Sequence, residues 1–218
     1  MACALIALVV IGCTTSPRPA EPPRIPQPST VEELAAAIAA DAKRSDREPD
    51  AKLRTELAAE ASRDAAACLA REPQAAACLY GRAIALGLEA RAHPTRAGEL
   101  LSAMLGSLAD AEAVDPGYDE AGPARVRALV LIRAPGWPLG PGDAEAGLVA
   151  ARRAATLRPQ YPPNLLALAE ALAKTGDSNG ARENYEDARA LAQALPAATD
   201  RDGWLREADE ALRRPSDR

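Results

Sequence analysis

Phenylalanine is absent from the 218 residues, and two tryptophans and four tyrosines bring the aromatic share to only 3%. Sheets favour aromatic and β-branched side chains on their pleated faces, so this shortage argues against strands. A single histidine leaves no HExxH zinc helix to be written, and GxSxG, Walker and GxGxxG patterns are absent as well. Catalysis is therefore not expected, nor is a cofactor or a bound metal. Lys+Arg (26) and Asp+Glu (31) are interspersed and leave a net charge of −5 with no basic block. Phosphate backbones require such a block, which excludes nucleic acid as a main partner.

What is present is helical. Hydrophobic residues make up 48% of the chain, and Ala and Leu supply most of that share. With Arg and Glu, these are among the strongest helix formers. The 19 prolines fall in a few stretches and act as punctuation between long Pro-free segments. Thr30-Val31-Glu32-Glu33 has the spacing of a capping box and opens a helix to about Arg44. Further helices are predicted over 50–70, 74–92, 96–114, 121–133, 143–157, 163–175, 179–194 and 202–213. Short polar turns between helices of this length imply antiparallel hairpins. The fold expected is all-α: helical hairpins of tetratricopeptide type stacked into a short solenoid.

The amino terminus is of another kind. MACALIALVVIGC carries an apolar run from Ala4 to Ile11, too short for a bilayer span of about 20 residues but suited to the core of a secretory signal. No Lys or Arg precedes it. Val10-Ile11-Gly12-Cys13 resembles the bacterial lipobox, which implies lipidation of Cys13 and cleavage before it. Thr14 to Pro28 is a Pro-rich spacer that holds a domain some ~45 Å from a membrane if extended. Thr14 in place of Asp after the lipidated Cys resembles the sorting signal for the periplasmic face of the outer membrane. The organisation read is a signal at 1–12, lipidated Cys and linker at 13–29, a helical domain at 30–214, and a tail at 215–218.

The hairpins repeat. Counted from Pro162, the residues Leu168, Ala169, Leu172, Gly176, Ala181, Tyr185 and Ala188 fall where the ~34-residue tetratricopeptide pattern wants them. Small residues sit where helices cross, and larger ones fill the groove between. The helix end Val114-Asp115-Pro116-Gly117-Tyr118 is echoed by Leu157-Arg158-Pro159-Gln160-Tyr161. Over Tyr80 to Leu191, the segments LYGRAIALGLEAR, DPGYDEAGPARVRAL, APGWPLGPGDAEAGLVAARRA and YPPNLLALAEALAKTGD resemble the tetratricopeptide component of tripartite ATP-independent periplasmic transporters. That resemblance implies a lipoprotein that binds the transporter's substrate-binding protein, or an apolar or organic-acid ligand. The alternative is an envelope assembly or secretion lipoprotein that docks a protein partner without a small ligand. An apolar cavity near Trp137 and Tyr118 would favour the carrier, and an open, charged groove the docking factor.

Candidate site residues follow from position. Trp137 sits in the Pro/Gly-rich loop 134–143, either lining a ligand cleft with Tyr118, Asp119 and Arg125 or plugging a gap between hairpins. Asn164, in the first turn of a helix with Glu170 further along, serves backbone hydrogen bonds or a ligand or partner. Tyr80 and Tyr161 complete the set of groove candidates. Cys68 and Cys78 flank a hairpin turn at Arg71-Glu72-Pro73, so an oxidising compartment gives a disulfide, a reducing one two buried thiols. The C-terminal helix with Trp204 either caps the stack or mediates homo-oligomer formation.

Overall fold

The Thr30 side chain accepts from the backbone N–H of Glu33, while the Glu33 carboxylate accepts from Ser29 and Thr30, so the expected capping box forms. It starts α1 (Val31–Arg47) in a computed structural model that describes residues 28–197 and 200–214. The expected signal, Cys13, most of the spacer and the 215–218 tail lie outside the described residues. Asp50, Asp143 and Asp177 cap α2 (Ala51–Arg71), α6 (Ala144–Leu157) and α8 (Ser178–Gln193) in the same manner, each accepting from a first-turn N–H. The remaining helices are α3 (Ala76–Ala92), α4 (Ala97–Val114), α5 (Tyr118–Arg133), α7 (Pro162–Lys174) and α9 (Arg201–Arg213). A 3₁₀ turn at Pro94–Arg96 leads into α4. Helix ends fall within a turn of those expected, and among the described residues there is no strand.

Consecutive helices pack as hairpins from α1·α2 through α8·α9. The odd-numbered helices also touch one another in order, whereas among the described residues the even-numbered ones do not. Odd helices therefore form an inner layer and even helices an outer one. The inner helices run parallel: Asp46 near the end of α1 pairs with Arg91 near the end of α3 at 2.8 Å. Tyr80 at the start of α3 likewise bonds Asp119 at the start of α5 at 2.9 Å. All inner helices thus begin on one rim and end on the other. The result is an all-α solenoid of stacked hairpins.

Alanine makes this stacking close. The core between helices is largely Ala61, Ala83, Ala124, Ala128, Ala151, Ala154 and Ala169, all fully buried, with Leu34, Ile38 and Leu108 filling the wider gaps. Cys68 and Cys78 form a disulfide across the α2–α3 turn, packed against Val31 and Leu34 of α1. Closing so short a loop contributes about 2–3 kcal/mol. At the far end of the stack, Lys43 of α1 bonds Asp200, just before α9, at 2.8 Å. The solenoid curls until its first and last helices face each other. Among the described residues no helix is long and apolar enough to cross a membrane.

Candidate functional site

Pro123 decides how α5 begins. It has no N–H for the carbonyl four residues back, Asp119, and its ring would press on that same carbonyl. The chain answers with three consecutive left-handed residues: Asp119 (φ 47°), Glu120 (φ 55°) and Ala121 (φ 63°). Each costs about 1–2 kcal/mol in a residue with a Cβ. The right-handed helix runs on from Gly122. A Cβ there would lie 2.8 Å from both the Asp119 carboxylate and the Tyr80 hydroxyl, so glycine lets these two side chains close over it.

The carbonyls orphaned by this turn are collected by two buried side chains. Arg125, 8% exposed, donates through Nη1 to the carbonyls of Asp119 and Glu120 and to Asn164 Oδ1, and through Nη2 to Asp119 Oδ2. Asn164, fully buried, donates through Nδ2 to the carbonyls of Glu120, Ala154 and Arg158. One amide thus ties together the left-handed turn, the end of α6 and the start of α7. No buried side-chain nitrogen or oxygen among the described residues is left without a partner.

Around this hub runs an aromatic seam with one ring each from α3, α5 and α9 and one from Tyr161, the residue that caps α7. Tyr80 meets Tyr118 edge-on at 5.4 Å, and Tyr161 meets Trp204 edge-on at 5.5 Å. The Arg125 guanidinium lies 5.1 Å over the Tyr161 ring and joins the two pairs. Burial, and then the facing Asp119 carboxylate, push the Tyr80 phenol far above its usual range. Burial raises Tyr118 and Tyr161 in the same direction.

Six of the eight sequence-selected candidates therefore converge: Tyr80, Tyr118, Asp119, Arg125, Tyr161 and Asn164. Their arrangement is internally satisfied, and the helix-terminal, backbone-bonding role of Asn164 is the one observed. Glu170 stands further along α7, held by Arg133 in a two-point pair at 2.8 and 2.5 Å. Trp137 differs from both roles expected of it. It hangs from the opposite end of α5, beyond a right-handed run of about 17 Å from Gly122 to Arg133, and is 91% exposed. It neither shares a cleft with Tyr118, Asp119 and Arg125 nor plugs a gap between hairpins.

Sequence reasoning missed the cleft where the solenoid's ends meet. This open groove of about 510 Å³ is lined by Lys43, Asp46 and Arg47 of α1, and by Asp200, Trp204 and Glu207 at α9. Its walls carry both signs of charge. Burial raises the Glu207 carboxyl, nearby Arg133 lowers it, and Glu170 raises it again. Charges at the end of α1 and the start of α9 were visible in the sequence, but nothing in it told that those segments face each other. Among the described residues no group of three or more His, Cys, Asp or Glu is arranged to hold a metal. No protein-family model matches the chain, and no curated protein does.

Proposed function

We propose that this chain is a lipid-anchored, tetratricopeptide-type binding scaffold on the periplasmic face of the outer membrane. It docks a protein partner in the α1–α9 cleft and catalyses nothing. The observation that carries this reading is the cleft itself. It is open, it lies on the inner face where both ends of the stack contribute, and Lys43, Arg47, Asp46 and Glu207 give it alternating charge. Such a surface suits a polar protein segment better than an apolar small molecule, because buried apolar ligands take mostly apolar walls. The polar hub at Arg125 and Asn164 supports the same reading: its donors are spent on the chain's own carbonyls. Within this class, the resemblance over Tyr80 to Leu191 makes the substrate-binding protein of a tripartite transporter the sharpest candidate partner.

Native mass spectrometry of the mature chain without acyl groups, purified from periplasm, tests the reading. A docking scaffold gives the bare chain mass. A co-purifying small mass that leaves on denaturation would overturn docking in favour of a ligand carrier, and would identify its cargo.

A further inference from the structure

The loop 134–143 has side chains with no task inside the fold. Trp137 is 91% exposed and Leu139 76%. From Ala134 to Gly142 there is no charged residue, and the two charges that flank the run, although exposed, are each engaged by a partner within the fold. Arg133 is held by Glu170, and the Asp143 carboxylate caps α6 by accepting from Ala146 N–H.

The loop is nonetheless firmly built. Gly140 and Leu139 donate to the Gly136 carbonyl, Gly142 donates to that of Pro135, and Asp143 donates to that of Leu131. Its back lies against the start of α4, where a Cβ on Gly98 would stand 2.9 Å from the Leu139 carbonyl. A tip of Trp, Pro and Leu is therefore displayed without charge and with its backbone groups largely engaged. Indole rings prefer the water–hydrocarbon boundary of a bilayer, and a pre-ordered tip loses little freedom on reaching it.

We infer that this loop is a second membrane contact, seating the far rim of the solenoid on a lipid surface. The inference rests on the reading of Cys13 as an acylated anchor. The chain enters at the rim where α1 begins, and the loop hangs from the opposite rim, beyond the right-handed run of α5, about 17 Å long. The seventeen residues from Cys13 to Ser29 span up to about 55 Å when extended. The tether is thus long enough for the domain to turn its far rim to the bilayer. Tethering also raises the local concentration of bilayer around the loop, so one ring and one isobutyl group suffice. A protein partner would need a pocket shaped for this convex tip, whereas a bilayer needs none. The net charge of −5 directs it to a zwitterionic surface in preference to an anionic one.

The test uses the full acylated chain in phosphatidylethanolamine–phosphatidylcholine vesicles, some containing bromine-labelled acyl chains. Difference emission between the native chain and Trp137→Phe isolates Trp137. The expected result is at least a twofold loss of the Trp137 signal to bromolipid, with iodide access reduced by a similar factor. Leu139→Glu should abolish both effects and leave the anchor in place. If Trp137 is as open to iodide with vesicles as without, in a chain whose intact mass includes acyl groups, the contact is overturned and the anchor stands. A mass without acyl groups would overturn both together. Shielding from iodide without bromolipid quenching would overturn the lipid assignment, showing the loop covered by protein instead.

Discussion

The two ends of α5 solve opposite problems. At its start, residues 119–121 hold left-handed backbone in side-chain-bearing positions, and the carbonyls of Asp119 and Glu120 are met from within by Arg125 and Asn164. At its end, the loop 134–143 satisfies its backbone locally and leaves two large apolar side chains in solvent. Both stretches are irregular, and sequence reasoning marks an aromatic residue at each, Tyr118 just before the first and Trp137 within the second. The difference lies in what the side chains are used for. Strain matched by buried hydrogen bonds is a device of the fold, while a rigid loop with unused apolar surface faces something else.

The sharpest way to break this comparison is at the hub. Asn164→Ala should cost about 2–3 kcal/mol, since it removes a second donor from three carbonyls on two helix ends and an acceptor from Arg125. Chemical denaturation reads this directly. A cost below about 1 kcal/mol would mean that the left-handed turn does not depend on the hub.

Alkali should reach the same end of α5. Tyr80, Tyr118 and Tyr161 all have phenols raised by burial. A folded pKa above the unfolded one means the folded state holds the proton longer. That stability is complete below the unfolded phenol pKa of about 10 and falls as pH rises beyond it, by about 1.4 kcal/mol per pH unit for each phenol still protonated. Thermal midpoints from pH 8 to 11 should be level and then drop. Tyr80→Phe should soften the drop, because ionised Tyr80 would lose its bond to Asp119 and repel it.

How much of this was legible depends on how local the cause is. The caps at Thr30 and Asp143 were readable because a cap needs only its own first turn. The Cys68–Cys78 bond was readable because a tight turn brings the two together. The echo of Tyr118 by Tyr161 marked two members of the seam, although not the seam itself. The left-handed turn was not foreseen: Asp119 and Glu120 fall between two predicted helices, Ala121 opens the second of them, and their partner Asn164 is some forty residues away. Gly122-Pro123 inside a helical pattern was the available signal. The α1–α9 cleft had no signal, since it results from small rotations accumulated over the stack.

Glu120→Gly sharpens the comparison with an effect of the opposite sign. In a right-handed helix the change would cost about 1 kcal/mol. At φ 55° glycine is at ease, and the relief offsets both its unfolded-state entropy and the exposed pair with Arg158. The expected shift is about 0.5 kcal/mol towards greater stability in denaturant titration. A loss of 1 kcal/mol would show that residues 119–121 are right-handed in solution.

The smallest expected effect on folding belongs to Trp137→Ala. Removing a packed tryptophan costs several kcal/mol through lost contacts and the cavity left behind. Trp137 makes no such contacts at 91% exposure, so its removal should change stability by no more than about 0.5 kcal/mol. Trp204→Ala is the matched control. That ring is partly buried against Tyr161 and packs on Leu166, Ala188 and Ala208, so about 2 kcal/mol should be lost there. The pair of variants compares like with like, one tryptophan from each kind of region. Equal losses would mean that the loop is a lid on the core, closed over by its own ring, and that its apolar tip has no outside partner to explain. A silent Trp137→Ala beside a costly Trp204→Ala leaves the tip dispensable for folding, so its exposed apolar surface would have to answer to something beyond the chain.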